Sequence, residues 1–378
     1  MKKNIFWIFL ICVLAFSVSL FVFPEFFSTG ASYVRSEETV NKEKPATPVI
    51  LPLDTMAYDK KLNEIANNPP DPIVYNTVKT TEIDENGKTI TKTTKVLLDP
   101  QPIRSHLWPV KTVYPNAGAI LPFKRIIAYY GNLYSKKMGV LGEYPEDEML
   151  ARLDVEVKKW EVADPSTPVI PALHYIAVVA QGSPGVDGKY RARMPDSEID
   201  KVLAIADKIN AIVFLDLQVG FSTLESELPR LEKYFKLPNV HLGVDAEFSM
   251  KYGIRPGKVV GTYDAGDLNF AANFLARIIK ENNLPPKILI VHRYTQKMIT
   301  NYQEIKPLPE VQIVMHMDGW GGAAKKRNTY QQFIYKEPVQ FTGFKLFYKN
   351  DVLTPGTVLM TPDDLLKLNP QPVYIQYQ

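Results

Sequence analysis

The chain is poor in the residues that carry the most legible chemistry. It has one cysteine in 378 residues, Cys12, and that residue sits inside an apolar N-terminal run. Structural disulfides, cysteine-ligated zinc and a thiol nucleophile are therefore excluded from the remainder. No Gly-rich phosphate loop occurs, and no compact His-x-His or His-Glu-x-x-His motif. Charge of one sign is also lacking: 44 basic residues stand against 41 acidic ones, for a net charge of +3. No dense Lys/Arg stripe and no C2H2 spacing is present, which speaks against a nucleic-acid partner. No cofactor and no resident metal is expected from these patterns.

What is present suits a large folded domain. Hydrophobic residues make up 46% and charged residues 22%, enough for a substantial core and far from a disordered composition. Lys2 and Lys3 precede an apolar run from Ile5 to Phe23. Its 19 residues suffice to span a bilayer as a helix, with the lysines on the cytoplasmic side. Two outcomes are open: a retained anchor, or cleavage near Ser28, Thr29, Gly30 and Ala31. Either makes the rest of the chain extracytoplasmic, tethered to the cytoplasmic membrane or secreted.

The expected organisation is a signal or anchor over 1–30, a linker over 31–72, a β-hairpin extension over 73–122 and a barrel over 123–378. Prolines 45, 48 and 52 mark the spacer, and a short helix is expected from Tyr58 to Ala66. Alternating stretches Thr77–Ile83 and Thr89–Val96 flank Asn86-Gly87, a favoured two-residue turn. An isolated hairpin is marginal, so it is expected to pack on the barrel.

From Arg125 onward, short apolar runs alternate with amphipathic stretches. The expected strands are Ile126–Gly131, Val169–Val179, Ala211–Gln218, Val240–Glu247, Lys287–Arg293, Val311–Asp318, Thr342–Tyr348 and Val373–Tyr377. Helices are expected near 146–161, 197–209, 223–236, 266–282, 295–303, 325–335 and 361–368. Ser197…Asp200 and Ser222…Glu225 have the spacing of capping boxes at two helix starts. Near-continuous apolar strands indicate a parallel sheet covered by helices. Eight strands with seven intervening helices imply a (β/α)8 TIM-like barrel, an α/β fold whose last helix is missing. An open doubly wound sheet is the alternative.

In such a barrel the active site lies at the C-terminal ends of the strands. Polar residues gather there. Asp216 and Gln218, Asp245 and Glu247, and His316 and Asp318 are i, i+2 pairs, which share one face of a strand about 6.6 Å apart. Buried ionisable groups are costly unless paired or wet, so a ring of them at one barrel end is hard to explain as packing. His174 and His241, farther back on their strands, read as satisfied core histidines. Asp216 can equally pair structurally with Arg293 or Lys345.

Paired carboxylates allow one group to be held protonated while another stays ionised, as glycoside hydrolysis requires. Glu247, outermost on strand four, is the candidate acid. Asp245 would position it, and Asp318 or Asp216 would be the second carboxylate. Gln218, His292, Tyr294, His316, Lys345, Tyr130 and Tyr348 would line the substrate site, with Trp320 as a stacking platform.

The stretches Val240-His241-Leu242-Gly243-Val244-Asp245-Ala246-Glu247, Met315-His316-Met317-Asp318-Gly319-Trp320-Gly321 and Gly343-Phe344-Lys345-Leu346-Phe347-Tyr348 resemble a group of uncharacterised bacterial exported proteins and lipoproteins predicted to be glycosidase-like barrels. That resemblance implies export and a barrel. Lipid modification at Cys12 fits poorly, since Ile11 stands where a small residue is expected. Asp245-Ala246-Glu247 also resembles the end of the strand-four signature of chitinase-like glycoside hydrolases. There the Glu is the acid and the Asp orients the substrate. Val240 and Gly243 replace that signature's earlier aspartates.

The sequence therefore points to an extracytoplasmic glycoside hydrolase acting on a cell-envelope or environmental glycan. Two alternatives stay open. One is a noncatalytic barrel that binds a glycan or partner. The other is a metal-dependent hydrolase with ligands from Asp216, Asp245, Glu247, His292, His316 and Asp318.

Overall fold

The structure is a computed structural model in which residues 52–99 and 105–378 are described. The N-terminal apolar segment, Cys12 and the spacer through residue 51 lie outside the described residues. Among the described residues, no helix is long and apolar enough to cross a membrane.

Eight parallel strands close on themselves. They are β1 Arg125–Gly131, β2 Val169–Ala180, β3 Ile212–Leu217, β4 Val240–Asp245, β5 Lys287–Arg293, β6 Val311–Met317, β7 Phe341–Leu346 and β8 Tyr374–Tyr377. Each pairs with the next in the chain, and β1 pairs with both β2 and β8, which closes the ring. The TIM-like barrel is therefore the observed fold, and the open sheet is excluded.

The two faces of each strand build two separate cores. Ile127, Leu173, Val213, Leu242, Leu289 and Ile313 belong to the shell between strands and helices. Their neighbours Ile126, Ala128, Ala172, Phe214, Ile290 and Val314 fill the barrel interior. This period-two division is why the strands read as unbroken apolar runs.

Helix α1, Thr55–Ala66, lies within the stretch expected to be linker, and its Tyr58 and Ile65 are buried in the interior cluster with Leu121 and Ile126. It packs against the apolar end of the barrel, away from the polar strand ends. Asp54 caps it by accepting from Ala57 N at 2.9 Å, and Asn67, in the left-handed region at φ 51°, ends it.

The covering helices include α2 Glu146–Ala163, α3 Asp196–Asp207, α4 Ala265–Asn282, α5 Ala323–Tyr330 and α6 Pro362–Leu366. Four details differ from the expectations of the sequence. The stretch 223–236 breaks into short α and 3-10 turns around Pro229, which supplies no backbone N–H. The stretch 295–303 is not a helix. Two single turns flank Ile299–Thr300, which pairs with Tyr263–Asp264, and Asn301 turns left-handed at φ 55°. The capping boxes lie elsewhere, at Asp264–Asp267 and Thr361–Asp364. Pro195 and Thr223 precede the helices where boxes were expected, and neither makes a side-chain cap. The Asn-Gly hairpin forms over Tyr75–Ile83 and Thr89–Leu97. Every residue of both strands is exposed, so it stands as a solvated ribbon and does not pack its faces on the barrel.

Tyr58 tests the contribution of α1. Its ring is 2% exposed and meets Tyr114 and Phe123 edge-on at 5.7 and 6.0 Å. Tyr58→Ala is expected to lower stability by about 3 kcal/mol, the usual cost of emptying a large aromatic site. Urea unfolding of the variant measures it, and a loss below about 1 kcal/mol would show that α1 is only loosely docked.

Candidate active site

The polar site is built two residues beyond the apolar interior. Ala128, Ala172, Phe214, Ile290, Val314 and Tyr374 are inside the barrel, so Tyr130, His174, Asp216, His292, His316 and Gln376 follow on the same face. Two glycines make room for this layer. A Cβ on Gly243 would lie 2.5 Å from Asp216 Oδ1 and closer still to His174 Nε2. A Cβ on Gly343 would lie 2.6 Å from His316 Nδ1.

Asp216 is fully buried at the centre of the layer. Its Oδ2 accepts from Tyr130 Oη at 3.0 Å. Its Oδ1 faces His174 Nε2 at 3.3 Å and His292 Nε2 at 3.5 Å. Neither Arg293 nor Lys345 is its partner: Arg293 pairs with Glu337 at 2.6 Å, and Lys345 with Asp318 at 2.9 Å. His292 Nδ1 lies 2.8 Å from Asp318 Oδ2. The result is an alternating series: Asp216, His292, Asp318, Lys345.

Burial disfavours charge on every member, and pairing decides the outcome. Burial alone would raise Asp216 and Asp318. His292 and His174 outweigh it at Asp216, while Lys345 and His292 outweigh it at Asp318, so both carboxyls fall well below the usual range. Burial would likewise discharge His292, but Asp216 and Asp318 raise its pKa to about 10. His174 goes the other way: burial dominates and lowers it to about 4. His316 is driven well below its ordinary value by burial and by the charge on His292. Two negative and two positive groups thus sit together with no net charge.

Above this layer opens a cavity of about 850 Å³, within the range of small-molecule sites. Asp245, Glu247 and Asp318 line it together with Lys345 and Tyr130. Gln218, Tyr294 and Trp320 complete the expected set on its walls. Asp245 is held by Glu247 N, which donates to its Oδ1 at 3.0 Å, and by Gln218 Nε2, which donates to its Oδ2 at 3.3 Å. Burial pushes Asp245 well above the carboxylate range, and Glu247, Asp216 and Asp318 add to that effect against His292. Burial, with Asp318 next, also raises Glu247, while the Tyr294 hydroxyl bonds to its carboxylate and opposes the rise. Carboxyl oxygens of Asp245 and Asp318 lie within 4.8 Å of each other. The two environments are opposed: Asp245 is pushed towards its neutral form and Asp318 towards its ionised form.

The loops after β6 and β7 share one anchor. Asp351 Oδ1 accepts from Gly321 N at 2.9 Å, and its Oδ2 accepts from Phe347 N at 2.9 Å and Lys326 Nζ at 2.6 Å. This fixes Phe347 and the segment bearing Trp320 at the cavity. Trp320 is 50% exposed, with Lys325 Nζ 4.5 Å from its ring centroid.

The remaining expected residues lie elsewhere. Asp216, His292 and His316 form the layer beneath the cavity and do not line it. Tyr348 turns to the outer shell, where its hydroxyl donates to Glu156 at 2.9 Å and contacts Tyr129. It lies just past the end of β7, one residue after Phe347, which is the residue that reaches the cavity. His241 is a core histidine whose Nδ1 accepts from Ile288 N at 3.1 Å, while its Nε2 has no hydrogen-bond partner among the described residues. His174, read in the same way, is instead central to the polar layer. Its register opposite Tyr130 on β1 and Phe214 on β3 becomes visible only once the barrel closes. Lys137, Phe248 and Lys325 also line the cavity; they come from a loop, a 3-10 turn and the first turn of α5, whose paths the strand pattern does not fix.

No family model matches the chain, and no curated protein matches it. The resemblance to exported bacterial barrel proteins therefore rests on the quoted residues alone. Among solved structures, the chain is similar to a cellulase, Cel5C_n, at 15% identity over 67% of this chain and 75% of that one, with a TM-score of 0.36. It is similar to dihydropteroate synthase of Burkholderia cenocepacia at 11% identity over 68% and 86%, with a TM-score of 0.30. It is also similar to endoglucanase CEL6B from Humicola insolens at 11% identity over 58% and 63%, with a TM-score of 0.25. Likeness at this level assigns neither substrate nor chemistry.

Proposed function

We propose that the protein is an extracytoplasmic glycoside hydrolase of a cell-envelope or environmental glycan, with Glu247 as general acid and Asp318 as the ionised carboxylate. The observation that carries this reading is the opposed environment of carboxyl groups on one cavity. Burial holds Glu247 and Asp245 towards the protonated form, and Lys345 with His292 holds Asp318 ionised. Such splitting is what acid-assisted cleavage of a glycosidic bond needs. The extracytoplasmic placement is supported by Lys2, Lys3 and the apolar run Ile5–Phe23.

The division of labour follows from the contacts. Glu247 lies at the lip, only partly buried, where it can give its proton to the leaving oxygen. Asp245 is 2% exposed and bonded to the Glu247 backbone, so it positions the acid. Asp318 offers negative charge to the cation-like sugar that forms as the bond breaks. Both its oxygens are already engaged by cations, which suits a fixed electrostatic partner better than a strong nucleophile. Trp320 and Phe347 present apolar rings to a sugar face, and Gln218 and Tyr294 offer polar groups to its hydroxyls.

Hydrolysis by the purified protein on peptidoglycan, chitin-type oligosaccharides and common polysaccharides tests the reading. Glu247→Gln is expected to lower kcat by at least about 100-fold with the fold intact. Saturable binding of a glycan with no cleavage by either protein would make this a binding barrel.

The pH profile has a defined sign. Glu247 must be protonated to act, so activity falls as pH rises through its pKa. The Tyr294 hydroxyl stabilises the ionised form. Tyr294→Phe is therefore expected to move the alkaline limb of kcat to higher pH, and a shift to lower pH would remove Glu247 from the role of acid.

Lys345 reports on the charge balance. Lys345→Met strands one oxygen of a buried carboxylate and is expected to cost about 3–5 kcal/mol in urea unfolding. Adding Asp318→Asn should recover part of that loss. Strictly additive losses would show that the 2.9 Å pair carries no coupling.

A further inference from the structure

We infer that His174, Asp216 and His292 form a buried binding site for one divalent transition cation of the zinc class. The site lies under the cavity floor and stands independently of the reaction proposed above. Three atoms converge there: His174 Nε2, Asp216 Oδ1 and His292 Nε2, with ligand atoms of the trio all within 4.8 Å of one another. The three residues are fully buried, and none of these three atoms has a well-formed hydrogen bond among the described residues.

The spacing is longer than that of a closed hydrogen bond and fits the ligand separation of a small cation. A charge-assisted N–H···O bond closes to about 2.7–2.9 Å. The distances here are 3.3 and 3.5 Å. A tetrahedral ion with metal–ligand bonds of about 2.0–2.1 Å separates its ligands by about 3.4 Å. Each imidazole nitrogen stands at about that separation from the carboxylate oxygen.

The outer contacts agree. A metal-bound imidazole keeps its orientation by engaging its other nitrogen with a neighbouring oxygen. His174 Nδ1 lies 2.6 Å from Tyr374 Oη, and His292 Nδ1 lies 2.8 Å from Asp318 Oδ2. Tyr130 takes Asp216 Oδ2 and leaves Oδ1 to the converging point. The residue opposite Asp216 on β4 is Gly243, so no side chain fills the space between His174 and Asp216.

His316 is an independent observation. It is fully buried, and both of its nitrogens lack a hydrogen-bond partner among the described residues. Its ring centroid is 5.0 Å from that of His292, and the two are in register on adjacent strands. A third imidazole without a partner beside the trio is costly unless something pairs with it.

The donor set defines the cation. Mg²⁺ and Ca²⁺ take oxygen ligands, whereas imidazoles with one carboxylate suit Zn²⁺ and its neighbours. A cation here would take His292 as a neutral imidazole. It would also cross-link β2, β3 and β5 directly beneath Asp318.

The test uses the full chain, purified without added metal or a metal-affinity step. Elemental analysis is expected to find about one equivalent of a transition metal per chain. Chelator-stripped protein should gain thermal stability on adding Zn²⁺. Adding Co²⁺ instead should give the visible bands of a tetrahedral nitrogen–oxygen site. His174→Gln should lose those bands while its circular dichroism shows it folded, and Glu247→Gln should keep them. If the stripped protein stays folded and shows neither a stability gain with Zn²⁺ nor bands with Co²⁺, the inference is overturned. Bands that persist unchanged in His174→Gln would overturn this ligand set as well.

Discussion

Everything at the mouth of this barrel rests on a carboxylate that no substrate can touch. Asp216 is fully buried, and a bare charge there would cost several kcal/mol. It persists because Tyr130, His174 and His292 converge on it from β1, β2 and β5. These contacts fix the directions of three side chains at once. Tyr130 then forms the cavity floor, with Lys345 Nζ 3.9 Å from its ring centroid. His292 is turned so that its far nitrogen meets Asp318. The orientation of the cavity carboxylate is thus inherited from a group one layer below.

Much of this was legible because the strand period is strict. A parallel sheet covered on both faces must be apolar on both faces, so polar residues at the strand ends stand out. Asp245–Glu247, Gln218 and Asp318 could be placed on the cavity from i, i+2 spacing alone, and they lie there. The same rule applied to β7 selects Lys345 and Phe347 and rejects Tyr348. Position at one strand end alone admits both Lys345 and Tyr348. The discriminating signal was parity.

Depth was harder to read. Asp216, His292 and His316 are as polar as Asp318, yet they sit a layer beneath the cavity. Depth depends on strand stagger and on which opposing residues are small, here Gly243 and Gly343. Neither quantity is a property of one strand's sequence. His174 was set aside for the same reason: on its own strand it is a lone polar residue among apolar ones. Its meaning appears only when β1, β3 and β5 are brought around it. The loops were least legible. The broken helix at Pro229 and the turn at Asn301 follow from single backbone constraints within otherwise helical patterns. The exposed Thr-rich ribbon shows that good hairpin chemistry fixes pairing without implying a packed face.

Asp318 belongs to both layers at once. One oxygen meets His292 in the buried network, and the other meets Lys345 beside the cavity. A change in the buried layer therefore cannot remain purely structural. Whatever occupies the space between His174, Asp216 and His292 sets how much positive charge His292 presents to Asp318. That charge sets how firmly Asp318 stays ionised, and Asp318 in turn raises Glu247. The electrostatics of the mouth are carried inward along one chain of contacts, from Glu247 to Asp318, His292 and Asp216. Closing the ring of strands is what brings the four together, since they come from β3, β5 and the segments following β4 and β6.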